Sequence, residues 1–130
     1  QIIITSDTVV ILKDQILNKP LHRPEAIDML NRLSGHTHTV ITAVCVLAKE
    51  KIDCFDDHTE VTFKKLSSEE INFYVDNYKP FDKAGAYAIQ GRGAMLIERI
   101  EGSYSGVVGL PIFESINLLA LLGWKYLSNN

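Results

Sequence analysis

Ile2–Leu12 constrains the chain more than any other stretch, with apolar, mostly β-branched ends (Ile2-Ile3-Ile4 and Val9-Val10-Ile11) around a polar centre, Thr5-Ser6-Asp7-Thr8. β-Branched residues suit a pleated, half-buried surface, and aspartate is depleted there. The segment therefore predicts a sheet that carries a carboxylate, Asp7, on or beside it. A residue set against its local propensity tends to be functional or strained. The same residues also suit two short strands joined by a turn, with Asp7 capping backbone groups. Because Ile2-Ile3-Ile4 already reads as mid-strand and Gln1 is not methionine, residues upstream of Gln1 are expected.

Lys13-Asp14-Gln15 reads as a turn, and Ile16–Pro20 as extended, because residues before Pro20 and Pro24 are biased away from helix. Pro24 suits the first turn of a helix whose apolar positions Ala26, Met29, Leu30 and Leu33 fall on one stripe, with Gly35 as the stop. Thr39–Ala48 has the apolar content of a central strand. After Lys49-Glu50-Lys51 come two further runs, Ile52–Asp56 and the alternating Glu60–Leu66. Ser67-Ser68-Glu69-Glu70 is a capping-box pattern that opens a helix with Ile71, Tyr74, Val75 and Tyr78 on one face, ended by Pro80. Glycines crowd between Gly85 and Gly109, around a short strand at Ala94–Ile100. Pro111 opens a last helix through Leu122, stopped by Gly123. The predicted order is β, α, β-meander, α, β, α.

At 130 residues, with 46% hydrophobic and 22% charged residues, the chain can bury a core and is neither disordered nor collagen-like. It is expected to form a single domain over residues 1–130. No apolar stretch approaches the roughly 18 residues of a membrane span, and no secretory leader is legible, so a cytoplasmic protein is expected. Cys45 and Cys54 are too few for a disulfide framework and read as free thiols. A net charge of −3 weighs against a nucleic-acid polymer as partner.

Beyond Asp7, two places could carry chemistry. Lys19, held by Pro20, could present an ammonium to a phosphate, although solvated loop lysines are commoner. Asp82-Lys83-Ala84-Gly85 and Gln90-Gly91-Arg92-Gly93 would let backbone N–H groups, Lys83 and Gln90 approach a ligand; a hairpin with a Gly-rich turn explains them equally well. They do not form a Walker loop. His36 and His38 lack companions at metal-ligand spacing and read as surface or capping residues. Asp56-Asp57-His58 with Glu60 reads as a solvated turn between strands, and Tyr74/Tyr78 as core. Ser103 and Ser105 sit in no nucleophile elbow, and neither cysteine has an evident histidine partner.

Taken in order, these motifs resemble the Maf family of nucleotide pyrophosphatases, once described as septum-formation proteins. The resemblance runs through Ser6-Asp7-Thr8-Val9-Val10, Ile16-Leu17-Asn18-Lys19-Pro20, Leu33-Ser34-Gly35-His36-Thr37-His38 and Thr59-Glu60-Val61-Thr62-Phe63. It continues through Asp82–Gly91, Gly102-Ser103-Tyr104 and Val107–Pro111. It implies an α/β fold with a long mixed, twisted sheet, flanking helices and two lobes around a cleft. It also implies metal-dependent cleavage of nucleoside triphosphates to monophosphate and pyrophosphate, with Mg2+ or Mn2+ as the cation.

Residue by residue, the resemblance makes Asp7 the catalytic aspartate and metal neighbour. Lys19 and Lys83 become the lysines facing the triphosphate, and Thr8 and Gln90 positions tied to substrate choice. Asp-Lys-Ala-Gly-x-Tyr-x-Ile-Gln-Gly is similar to the branch acting on dTTP and UTP rather than the one acting on 7-methyl-GTP. The family commonly forms dimers, so a homodimer is an expectation; a non-catalytic regulator of cell division is the rival reading. Ser6 stands where the family usually has Ala, and Asn18 where it has Gly. The family's Ser-x-Ser-x-Arg-Arg phosphate segment and a metal-linked Glu would precede Gln1, and a chain lacking them is expected to be inactive.

Overall fold

The computed structural model describes residues 2–102, apart from the side chain of Arg92. The predicted helix from Pro111 and the motifs from Ser103 onward lie outside the described residues. Strand β1 (Ile2–Leu12) turns through Lys13-Asp14 into the short β2 (Gln15–Leu17), and helix α1 (Arg23–Leu33) follows. Strands β3 (Thr37–Ala48) and β4 (Lys51–Phe63) form a long hairpin, and α2 (Ser68–Tyr78) follows it. Two 3-10 turns, Ala84–Ala86 and Gly91–Leu96, lead into β5 (Ile97–Glu101). The sheet order is β2-β1-β3-β4-β5, and every pairing among the described residues is antiparallel.

Both hairpin turns place two non-glycine residues in the left-handed region, Lys13 (φ 49°) with Asp14 (φ 65°) and Lys49 (φ 49°) with Glu50 (φ 65°). Two-residue turns of that geometry match the twist of the flanking strands. Helix α1 starts from His22, whose Nδ1 accepts the Glu25 amide at 3.3 Å, with Pro24 in the first turn. Helix α2 carries the capping box in full: Ser67 Oγ accepts from the Glu70 amide, and Glu70 Oε1 from the Ser67 amide, each at 3.1 Å. Arg23 ties the helices together, donating to both Asp76 carboxylate oxygens at 2.7 and 3.0 Å and to Asn72 Oδ1 at 2.8 Å.

Strand register sorts the residues. Val10 and Leu12, Val40 and His38, and Val61 and Phe63 share the sheet face that packs on Ala26, Met29, Leu30 and Leu33 of α1 and on Ile71, Tyr74 and Val75 of α2. The opposite face carries the row Asp7, Ala43, Asp56 and, one step along, Thr5, Cys45, Cys54.

Three expectations change here. β1 is continuous through Thr5–Thr8, so Asp7 does not sit in a turn between two strands. Asp56-Asp57-His58 is the middle of β4 rather than a turn, because pairing with Ile41, Thr42 and Ala43 of β3 holds it extended. The cysteines are not free: Cys45 and Cys54 face each other across β3 and β4 with Cα atoms 4.1 Å apart, and they form a disulfide. Two cysteines cannot build a framework, but one hairpin register suffices to join them. In addition, Ala94–Leu96 belong to a 3-10 turn, and β5 begins only at Ile97.

Candidate active site

Among the described residues, Asp7 lies where β1 has a neighbour on one side only, since β2 pairs with Val10–Leu12 and β3 runs along the other margin. By strand alternation Asp7 and Thr8 belong to opposite faces. At this margin they nevertheless border the same cleft, and Asp7 Oδ1 accepts the Thr8 amide at 3.0 Å. The Thr8 hydroxyl bonds that of Thr42 at 3.1 Å. The cleft has a volume of about 210 Å3, and Lys19, Asp82, Lys83, Tyr87 and Ile89 supply other parts of its wall. Asp7, Thr8, Lys19 and Lys83, separated along the chain, therefore share one cleft. Gln90 does not line it; it lines an adjoining cavity of about 230 Å3 whose wall also includes Asp82 and Lys83.

The two lysine loops are joined through the backbone. The Gly85 amide donates to the Asn18 carbonyl at 3.2 Å, which ties the residue before Lys19 to the turn after Lys83. Gly85 is required there on two counts. Its φ of +74° disfavours a side chain, and an added Cβ would lie 3.2 Å from Val10 Cγ1. The expectation that the glycine amides here face a ligand thus fails for Gly85, whose N–H is already used. Ala86 follows at φ 64° with its methyl fully buried, a conformation that costs an L-residue roughly 1–2 kcal/mol. Lys83 Nζ lies 3.2 Å from Asp82 Oδ2, both side chains being substantially exposed. That contact, with Lys19 nearby, holds the Asp82 carboxyl below the usual range.

Tyr87 forms the buried side of the cleft, and the sequence reading missed it. Its hydroxyl lies 2.6 Å from His38 Nε2, and the rings of His38, Phe63 and Tyr87 meet edge to face at centroid distances of 4.8–5.4 Å. His38 is 1% exposed, so it is neither a surface nor a capping residue. Burial depresses its pKa to about 4, which keeps the imidazole neutral at pH 7, and burial pushes the Tyr87 phenol up. His38 Nδ1 is buried without a partner among the described residues. One signal for His38 was available: it shares strand parity with Val40, Thr42 and Val44, all buried.

Among the described residues no three histidine, cysteine or acidic side chains gather into a metal cage. The cleft offers the Asp7 carboxylate, with Asp82 already paired to Lys83. Mg2+ is commonly held by one or two carboxylates together with substrate phosphates. The donor set therefore fits a cation shared with a polyphosphate. No helix among the described residues is long and apolar enough to cross a membrane.

Among known proteins, the family described as Maf-like protein matches residues 1–122. The chain belongs to the Maf-like family. Curated relatives include a dTTP/UTP pyrophosphatase of Neisseria meningitidis serogroup B, 50% identical over 95% of this chain and 61% of the relative. A protein of the same name from Bacillus cereus is 50% identical over 91% of this chain and 62% of its own length. A nucleoside triphosphate pyrophosphatase of Haemophilus ducreyi is 49% identical over 90% and 59%, respectively. The chain spans about three-fifths of the length of these Maf-like relatives.

Proposed function

We propose that the full-length protein hydrolyses dTTP and UTP, modified pyrimidine nucleotides included, to the nucleoside monophosphate and pyrophosphate. The observation that carries this reading is the meeting of Asp7, Lys19 and Lys83 in one cleft, where the other carboxylate, Asp82, is paired to Lys83. The names of the relatives support the choice of substrate.

In this reading a water oxygen attacks the α-phosphorus. The bond from that phosphorus to the α–β bridging oxygen breaks, and pyrophosphate departs with the oxygen. Asp7 orients the water and takes its proton. Lys19 and Lys83 lie against the phosphates and spread the charge that develops on the leaving group. Lys83 is available for this, because its exposed contact with Asp82 is worth about 0–1 kcal/mol and yields to a triphosphate. Asp7 would hold a Mg2+ or Mn2+ shared with the triphosphate, and such a cation would supply further charge neutralisation there. Thr8 and Gln90 are assigned to substrate choice; the Gln90 amide can pair a donor and an acceptor with the edge of uracil or thymine.

The test is pyrophosphate release by the full-length protein with Mn2+ and a panel of dTTP, UTP, CTP, GTP and 7-methyl-GTP. Release from dTTP and UTP is expected, and Asp7→Asn should lower kcat by about 10²–10⁴ with little change in nucleotide affinity. Near-normal turnover by Asp7→Asn overturns the assigned role. Nucleotide binding without hydrolysis points instead to a non-catalytic regulator, and a preference for 7-methyl-GTP to the other branch.

A further inference from the structure

The cavity beside the cleft holds a group that the function above leaves unused. Tyr78 is the last residue of α2 and is 41% exposed, although its apolar spacing marks it for the core. It lines the same cavity as Gln90. Tyr74, which packs on it at a centroid distance of 5.3 Å, is buried, and its hydroxyl accepts the Ala88 amide at 3.1 Å. The backbone beyond Tyr78 is pinned: the Lys79 amide bonds the Val75 carbonyl at 3.0 Å, the Phe81 amide bonds the Lys79 carbonyl at 2.8 Å, and Pro80 is buried. Tyr78 is thus an aromatic ring on a hydrogen-bonded helix end, backed by a second ring and partly exposed.

The lining residues of the two adjoining cavities suit the two ends of one ligand. The first cleft carries Lys19 and Lys83, and the second offers Gln90 and Tyr78, with Asp82 and Lys83 at the shared border. At about 230 Å3 the second cavity falls below the roughly 300–1,000 Å3 of a site that encloses a whole drug-sized ligand, while the two together reach that range. Such a pair suits a molecule with one polyanionic end and one flat, neutral end.

We infer that Tyr78 is the stacking platform for the pyrimidine base, with its ring on the base face while the Gln90 amide reads the base edge. This rests on the nucleotide reading above and adds a binding residue to it. Stacking of a base on an aromatic side chain is sequence-tolerant. Tyr78 therefore supplies affinity for a nucleotide over a bare polyphosphate, and Gln90 supplies the choice among bases.

The experiment is calorimetric titration of the full-length protein, with Mg2+, against α,β-imido-dUTP and, separately, inorganic tripolyphosphate. Neither measurement needs turnover. Tyr78→Ala should weaken α,β-imido-dUTP about 5- to 150-fold and leave tripolyphosphate within twofold. Tyr78→Phe, which keeps the ring, should stay near wild type for both. Unchanged nucleotide affinity in Tyr78→Ala overturns the inference and leaves the pyrophosphatase reading standing. Equal loss of both ligands also overturns it, as a general disturbance of the site. Wild-type protein that binds α,β-imido-dUTP with the expected Tyr78 dependence, yet releases no pyrophosphate from dTTP or UTP, supports the platform and overturns the activity.

Discussion

Replacing His38 tests whether the floor of the cleft is held by a buried neutral imidazole. His38 is 1% exposed, and burial lowers its pKa from 6.5 to about 4. Between those values the unfolded chain binds a proton that the folded chain refuses, so folding stability falls as pH drops through this window. The contribution is fully present above pH 6.5, and the loss is complete once pH passes below about 4. A shift of that size corresponds to about 3 kcal/mol of stability. His38→Phe removes this term and should flatten urea-unfolding stability against pH by about that amount relative to wild type.

At pH 7.5 the same substitution strands the buried Tyr87 hydroxyl, which bonds His38 Nε2 at 2.6 Å, at a cost of about 1–3 kcal/mol. Adding Tyr87→Phe removes both partners at once, and the double variant should recover most of that loss. The assay is urea unfolding of wild type, both single variants and the double variant at pH 7.5 and pH 4.5. Parallel loss of stability in wild type and His38→Phe between those pH values would refute the burial argument. Additive single-variant costs at pH 7.5 would refute the coupling.

Other perturbations have outcomes as definite. Reducing the Cys45–Cys54 bridge, which spans a sequence separation of 9, should lower stability by about 2–3 kcal/mol in the chain-entropy view; thermal melts with and without a dithiol reductant measure it. Gly85→Ala forces a side chain at φ +74° against Val10 and should both destabilise the fold and raise KM for the nucleotide, because the two lysine loops meet there; unaltered KM would show that they are positioned otherwise. Ser67→Ala removes one half of the α2 capping box and should cost about 1 kcal/mol without altering kcat, as read from urea unfolding and turnover of the same preparation.

The helices were legible because their signals are local: Pro24 and the Ala26–Leu33 stripe for α1, Ser67 with Glu70 for α2. β4 looks like two strands in the sequence because Asp56-Asp57-His58 resembles a turn, and only cross-strand pairing with β3 shows that it is not. The tight turns were recognised but not their geometry, since Lys-Asp and Lys-Glu lack the glycine or asparagine that usually marks positive φ. Asp7, Lys19 and Lys83 stand out in the sequence by local oddity and resemblance, and the cleft brings them together. What sequence could not supply was the long-range pairing: His38 with Tyr87, 49 residues apart, Cys45 with Cys54, and the backbone bond from Gly85 to Asn18. None of these contacts leaves a periodic trace in the chain.

The bond between Gly85 and Asn18 also bears on how this site tolerates drift. Position 18 contributes its carbonyl, which every amino acid possesses, while its side chain lies exposed. The side chain at position 18 can therefore change without loosening the spacing of the two lysines. Selection on that spacing should fall on Gly85 and on the number of residues in each loop, leaving the identity of residue 18 free. A single-residue insertion between positions 18 and 20 should then harm nucleotide binding more than any ordinary substitution at position 18, a difference that a small variant library scored by nucleotide affinity would read directly.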